Sequence, residues 1–358
     1  MTRPHRLRLL FLTFFQIALV LAGTAEILPK PDKSPSHRGS QSSKQASRIW
    51  ADPGPVEKLD LASGPGGRAR APKPPFTFVK EQKTGTSPKV EVTDAKNNTW
   101  IAKFGSEVNA EVFATRIAWA AGYFVDATYF VPAGKIIGVK DLERAKSAIQ
   151  TDGSFADACF ELRDKNATFL KKSGWTWQNN PFVGTRELNG LKIVLMLTSN
   201  WDNKDARNDS SNLGILQYPG NGRMEWRYLV TDWGGSMGKW GKVFSREKWD
   251  CDGFTEQTPD FIRGLKDGKV EWGYVGKHTR DAKEDLSVDD VKWILRYLGR
   301  LTDHQIMMGL EASGATQSEI RCFAKAIRNR IDQMKRLVAS GQLSIRQSGP
   351  RLATAVRD

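Results

Sequence analysis

Between residues 76 and 137 the chain changes its hydrophobic period twice, and this order of elements limits the possible folds. Three runs alternate apolar and polar residues in the manner of strands: FTFVKEQ, KVEVTDA and TWIAKF. Residues 106–122 instead repeat apolar side chains at helical spacing. Two more strand-like runs follow that helix: TYFV and KIIGV. The order predicts a small α+β unit, in which a sheet carries one helix.

The second half of the chain is dominated by helical patterns. A mostly apolar helix begins near residue 185 and runs directly into the polar loop DNKDARNDSSN. Two short strands, LGILQY and WRYLVTDW, come next. Three amphipathic helical segments then follow: VDDVKWILRYLGRL, TDHQIMMGLEASG and SEIRCFAKAIRNRIDQMKRLVAS. We therefore expect a larger helical part after the small sheet.

The regions before and after this core have the composition of targeting and linker segments. Residues 1–25 have a basic start, a short apolar run and small residues before Glu26, which predicts an export signal and a secreted or periplasmic protein. An uncleaved signal acting as a membrane anchor is the alternative. Residues 26–75 are rich in Pro, Ser, Gly and Lys and are expected to be a disordered linker. The basic tail 341–358 is expected to be flexible.

Charge and metal-binding residues exclude several functions. The net charge is +14, but half of it lies before residue 76, and no nucleic-acid-binding motif is present, so no nucleic acid partner is expected. Four histidines, two of them before residue 76, make a histidine-based metal site improbable. The three cysteines form no CxxC pair; one disulfide is possible, with its partners undetermined.

Five polar residues stand where phosphoryl transfer from ATP needs them. That chemistry needs a cation for the phosphates, a carboxylate to hold the cation, oxygen ligands for Mg²⁺, and a carboxylate that orients the acceptor hydroxyl. Lys103 lies in a strand, and Glu111 lies on the helix that follows it. Asp202 begins the polar loop, Asn212 ends it, and Asp232 follows the apolar strand YLV.

Rival candidates are Glu107 for the carboxylate that holds Lys103, Asp205 for the base and Asn208 for the metal ligand.

These motifs resemble those of the protein-kinase-like superfamily, and in particular its atypical HipA-type and phosphatidylinositol-kinase-like branch. The similarity lies in the order of the motifs: Lys103, Glu111 followed by AWAAGYFV and Val131-Pro132, SNWD ending at Asp202, and Asp232-Trp233-Gly234 in place of Asp-Phe-Gly. It covers about residues 76–340. A similar Asn-Trp-Asp-x-Lys-Asp stretch occurs in uncharacterised bacterial proteins.

The resemblance implies a bilobal fold, with an N-terminal lobe over about 76–150 and a C-terminal lobe over about 151–340. It also implies ATP and Mg²⁺ or Mn²⁺ as cofactors. Lys103 and Glu111 are then expected to bind nucleotide, Asn212 and Asp232 to bind the metal, and Asp202 to be catalytic. The acceptor substrate remains open.

Two departures from the kinase pattern motivate an alternative function. The loop KTGTSP holds one glycine, Gly85, where a phosphate-covering loop usually has three, and ten residues separate Asp202 from Asn212. The alternative is a catalytically inactive pseudokinase that acts as a binding module.

A serine hydrolase is the other alternative. The sequence from Gly234 to Gly238 matches G-x-S-x-G with Ser236 as the nucleophile, and His278 and His304 lie downstream. The segment after Gly238, however, lacks the helical periodicity that a nucleophile elbow requires.

Overall fold

The computed structural model describes residues 46–170, 174–220, 223–242 and 246–347, with side chains described up to residue 340. The expected signal peptide, the first part of the expected linker and residues 348–358 of the expected tail lie outside these residues.

The described residues form eleven strands and seven α-helices. The strands are β1 (Ala46–Arg48), β2 (Phe76–Glu81), β3 (Lys89–Thr93), β4 (Thr99–Phe104), β5 (Thr128–Ile137), β6 (Ser154–Arg163), β7 (Thr168–Phe169), β8 (Leu213–Pro219), β9 (Met224–Val230), β10 (Ile262–Lys266) and β11 (Lys269–Trp272). The helices are α1 (Val108–Ala120), α2 (Arg186–Leu197), α3 (Cys251–Gln257), α4 (Thr279–Lys283), α5 (Val288–Leu298), α6 (Asp303–Glu311) and α7 (Gln317–Gln347). The mixed α+β class that the sequence predicted is thus confirmed, and the bilobal division remains a prediction.

Strands β2 to β6 close into a barrel in the order β2-β3-β4-β6-β5. Alternation along β3 and β4 sends Val90, Val92, Trp100 and Ala102 into the barrel, where all four are fully buried. The intervening residues therefore face outward. Strand β6 lies beyond the predicted lobe boundary near residue 150 and pairs with both β4 and β5, while the division into lobes stays a prediction.

Helix α1 packs against the outer face of this barrel and is buried almost all round. Val108 and Val112 contact Cys159 of β6, while Phe113 and Ile117 join the core of the helical part of the chain. A helix that is covered on both sides carries apolar residues around most of its circumference, which explains its weak amphipathicity.

The hairpin β8–β9 is the centre of a second sheet, in the order β1-β9-β8-β7. Leu213 pairs with Val230, and beyond them the Thr231 amide donates to the Asn212 carbonyl at 2.8 Å. The residues just before β8 and just after β9 are therefore held side by side. This register decides which polar residues can share a site.

The helical part is built on α2, α5, α6 and α7. Capping boxes start α5 and α6, in which Ser287 with Asp290 and Thr302 with Gln305 satisfy the free amides of the first turn. A disulfide joins Cys251, the first residue of α3, to Cys322 of α7, and Cys159 is the free buried cysteine.

Residues 46–75 are ordered on the fold, unlike the disordered linker expected there. Ile49, Val56 and Leu61 are buried in the main core. The Trp50 indole donates to the Ala121 carbonyl at 2.8 Å, and the Arg116 guanidinium donates to the Leu61 carbonyl at 2.8 Å. A segment poor in apolar residues cannot form its own core. A few apolar side chains are nevertheless enough to order it when they pack into a core that other segments form. Similarly, α7 continues to Gln347, past the expected start of the tail.

Candidate active site

Lys103 lies at the centre of a buried ionic cluster on the outer face of the barrel. Its ammonium lies 2.5 Å from a carboxylate oxygen of Glu111 and 2.7 Å from one of Glu161. Strand register explains the second contact, because Lys103 pairs with Cys159 and Glu161 lies two residues further on the same face of β6. The predicted contact between Lys103 and Glu111 is therefore present, and Glu161 is an additional partner that no sequence pattern indicated.

The charges of this cluster and its burial shift the pKa values of its members. Burial would lower the pKa of Lys103, but Glu111 and Glu161 outweigh burial and hold that pKa well above its ordinary value, with a further contribution from Asp232. Burial raises the pKa of Glu111 to about 8; the Lys103 charge opposes this shift, and the charges of Asp232 and Glu161 add to it. Glu161 has a second cationic partner, because the Arg163 guanidinium lies 2.8 Å from its other carboxylate oxygen.

Asp202 and Asn212 lie together at the two ends of the polar loop. Ser199 at φ 48° ends α2 in the left-handed conformation and turns the chain toward the site. The Asn212 amide donates to the Asp202 carbonyl at 2.6 Å and to its carboxylate Oδ2 at 3.2 Å. The Lys204 ammonium lies 3.0 Å from the same Oδ2. Within the described residues Oδ1 of Asp202 makes no hydrogen bond, so it is free to accept one.

Asp232 is joined to this pair through the backbone around it. The Asn200 amide donates to the Asp232 carbonyl at 3.2 Å, and the Trp201 amide donates to the Gly235 carbonyl at 2.9 Å. A Cβ on Gly235 would stand 2.7 Å from Cβ of Asp202, so the approach requires glycine. The structure thus brings Asp202, Asn212 and the backbone around Asp232 together, and the Asp232 charge contributes to the raised pKa of Lys103.

The side chains of Asp205 and Asn208, the rival candidates, hold the polar loop in shape. Asp205 is fully buried and binds the Arg207 guanidinium, which also contacts Asp281. The Asn208 amide oxygen lies 2.8 Å from Nε2 of His278 and accepts from the Asp205 amide. Both side chains are committed to holding the loop in shape, which leaves Asp202 and Asn212 as the candidates.

Glu107, the rival to Glu111, connects three segments at the edge of the site. Its carboxylate contacts the Ser87 hydroxyl and the Lys248 ammonium. A Cβ on Gly234 would stand 2.8 Å from Cβ of Glu107. Lys248 holds the pKa of Glu107 below its ordinary value, although burial alone would raise it. Glu107 therefore ties the loop before β3 to the segment after Asp232, a contact that no sequence pattern indicated.

The hydrolase alternative is wrong, because Ser236 is fully buried. Its hydroxyl finds no hydrogen-bond partner among the described residues, so it lacks the adjacent base that a nucleophile needs. The ring of His278 is bonded to Asn208 instead. The helix that follows Gly238 begins only at Cys251, too far along to form a nucleophile elbow.

A divalent metal fits the donors present only if a ligand supplies further oxygens. Within the described ranges no group of three or more His, Cys, Asp or Glu side chains converges on one point. Mg²⁺ is commonly held by one or two carboxylates together with substrate phosphates and water. One carboxylate from Asp232 and the amide oxygen of Asn212 match that type of site.

Comparisons with known proteins give only a distant structural likeness. No family model and no curated protein matches the chain. It is similar to a solved Golgi casein kinase, at TM-score 0.35 and 10% identity over 80% of this chain and 76% of the other. A Golgi casein kinase with Mn/ADP bound gives TM-score 0.35 and 9% identity over 78% and 75%. The Rio2 kinase-ADP/Mg²⁺-phosphoaspartate complex from Chaetomium thermophilum gives 0.29 and 14% over 71% and 72%.

No α-helix in the described part of the chain is long and apolar enough to cross a bilayer.

Proposed function

We propose that this protein is a kinase-like phosphotransferase that uses ATP and a divalent metal. The observation that carries the proposal is the convergence at the β8–β9 hairpin: Asn212 and Asp232 flank it, Asp202 is bonded to Asn212, and Asp232 is coupled to Lys103. This grouping supports the proposal, because phosphoryl transfer requires an amine for the phosphates, oxygen ligands for the metal and a carboxylate for the acceptor.

Each residue then has a defined task. Lys103 binds the α- and β-phosphates, and Glu111 with Glu161 holds its ammonium in position. Asp232 and Asn212 hold Mg²⁺ or Mn²⁺, which supplies charge stabilisation of the transferring phosphoryl group when bound. Asp202 accepts a hydrogen bond from the acceptor hydroxyl through Oδ1, while Lys204 and Asn212 fix Oδ2. Most of the catalytic effect would come from position and charge.

We also propose that the protein works outside the cytoplasm, in a secreted or periplasmic setting. The basic and apolar N-terminus motivates this location. The Cys251–Cys322 disulfide supports it, because such bonds persist mainly in oxidising compartments. The acceptor is left open among proteins, lipids, sugars and small molecules.

The test is ATP turnover by the purified protein with Mg²⁺ or Mn²⁺, measured as autophosphorylation and as ADP release. D232A is expected to lower the rate at least about a hundredfold, since it removes charge stabilisation of the transition state. The matched control is D209A, because Asp209 is an exposed carboxylate of the same polar loop. Equal activity of D232A and wild type would refute the assigned roles.

Nucleotide binding without turnover would instead identify a pseudokinase. That outcome is recognised by a thermal shift with ATP and metal in the wild type, reduced by K103M, in a protein that releases no ADP. Failure of both assays would remove nucleotide chemistry from this site altogether.

A further inference from the structure

We propose that Lys89 is a second phosphate-binding lysine, which contacts the terminal phosphates of a nucleoside triphosphate and replaces the missing glycines of the phosphate-covering loop. This inference rests on the proposed function, because it concerns the nucleotide that Lys103 is proposed to bind. It is carried by the strand register, by the lack of a partner for the Lys89 ammonium and by the position of Gly85.

Register places Lys89 directly beside Lys103. The two residues are partners across β3 and β4, and side chains of directly opposed residues in an antiparallel pair stand on the same face. Their neighbours Val90 and Ala102, also paired, fill the barrel interior. Lys89 and Lys103 therefore share the outer face on which Glu111 and Asp232 also act.

The ammonium of Lys89 has no ion pair or hydrogen bond within the described residues, although its side chain is partly buried. By contrast, Lys80 and Lys83 near it pair with Glu91 and Glu143. Burying a charged amine without a partner costs free energy. A protein retains such an amine when a ligand of opposite charge completes the contact, and phosphate oxygens are suited to this.

The loop that precedes β3 places its only glycine over this ammonium. Gly85 has φ 78°, a conformation that favours glycine, and a Cβ built on it would stand 3.2 Å from Nζ of Lys89. A loop with three glycines can offer several backbone amides to phosphates. Here Gly85 lets the loop lie close to Lys89. The Lys89 ammonium then supplies the positive charge that additional backbone amides would supply in a loop with three glycines.

The surrounding charges fit a ligand that carries its own metal. Burial and the charge of Lys103 lower the pKa of Lys89, while Glu161, Asp232 and Glu111 oppose that shift. Because Lys103 is assigned to the α- and β-phosphates, its strand partner Lys89, which lies under the loop at Gly85, is assigned to the phosphate beyond them.

The test compares the binding of ATP, ADP and AMP to wild type, K89Q and K103Q with Mg²⁺ present. K89Q is expected to weaken ATP binding by about tenfold or more, ADP less, and AMP not at all, because its partners are the outer phosphates. K89R is expected to restore most of the ATP affinity. The control is K80Q, a surface lysine on the neighbouring strand that is expected to bind as wild type does.

The outcomes separate this inference from the proposed function. If K103Q loses ATP binding while K89Q binds ATP as wild type does, the inference fails and the proposed function stands. If wild type binds none of the three nucleotides, both fail. Should K89Q not fold, the wild type is labelled with an acyl-phosphate derivative of ATP, which acylates amines near the phosphates. Modification of Lys89 in the mapped peptides supports the inference, and labelling of Lys103 alone overturns it.

Discussion

Replacement of Asp205 by Asn tests whether this carboxylate of the polar loop is structural, as distinct from Asp202, which we propose to be catalytic. Asp205 is fully buried and takes hydrogen bonds from the Arg207 guanidinium at 2.6 to 3.1 Å and from the backbone amides of Arg207 and Trp177 at 3.1 and 3.3 Å. Arg207 also contacts Asp281. D205N keeps the shape but removes one of the two carboxylates that balance this guanidinium.

The expected cost is about 3 kcal/mol of unfolding free energy. Breaking a buried ion pair by removing one partner costs roughly 3–5 kcal/mol. The lower end applies because the Arg207 side chain is 40% exposed, so water screens part of the interaction. D202N is expected to cost less than about 1 kcal/mol, since Asp202 is partly exposed and its contacts lie at the site edge. Its effect falls on phosphoryl transfer instead.

Urea unfolding followed by tryptophan fluorescence measures both variants. With m near 3 kcal/mol per molar urea, the midpoint of D205N is expected to fall by roughly 1 M. Burial would raise the pKa of Asp205, but hydrogen bonds from Arg207 outweigh it, and the pKa lies below the ordinary 3.8. A carboxylate with a lowered pKa stabilises the fold above that ordinary value, and the contribution disappears as pH falls through its folded-state pKa. The gap between wild type and D205N should therefore close in acid.

Two results would contradict this reasoning. A D205N protein as stable as wild type at neutral pH would mean that the Arg207 contact contributes nothing. A D205N protein that keeps its stability but loses ATP turnover would make Asp205 the catalytic residue and Asp202 the structural one. D209N, on the exposed part of the same loop, is the matched control.

Three further predictions concern the charge cluster, the disulfide and the buried serine. Burial raises the pKa of Glu111 to about 8. Protonation of Glu111 therefore stabilises the fold fully below pH 4.5, and this contribution is lost as pH rises through about 8. In urea unfolding, E111Q should lose less stability than wild type between pH 4.5 and pH 8. C251S with C322S should lower stability by about 4 kcal/mol, because the bond closes a separation of 71 residues; reductant on wild type should reproduce that shift, and an unchanged midpoint would contradict it. S236A should keep both stability, within about 0.5 kcal/mol, and ATP turnover, since its hydroxyl makes no hydrogen bond in the described part of the chain; labelling of wild type by a serine-reactive phosphonate would oppose this.

Local patterns in the sequence were sufficient for the elements that carry the site. Alternation predicted β2, β3 and β4, and helical spacing predicted α1 and α2, because each period follows directly from backbone geometry. The five candidate residues were found for the same reason, since each stands at a recognisable position in or beside an element. The contact between Lys103 and Glu111 needed only that order.

The sequence did not show how distant segments share one surface. Glu161 and Lys89 look like ordinary strand residues until pairing across β4 places both beside Lys103. Residues 46–75 look disordered because their composition offers no core of their own, yet Ile49 and Leu61 are buried in the main core together with residues of α1. The composition of a segment indicates how much apolar surface it can bury by itself. It does not indicate how much it can bury against another segment.

The periods and the order of the elements could be predicted from the sequence, because they depend on neighbours within a few positions. Which carboxylate of the polar loop is buried and which is partly exposed could be seen only in the folded chain. Asp202 and Asp205 are three residues apart and alike in sequence, but one is held at the open edge by Asn212 and the other is buried against Arg207. Burial and pairing depend on residues far away along the chain, and those contacts distinguish a buried, paired carboxylate from a partly exposed one.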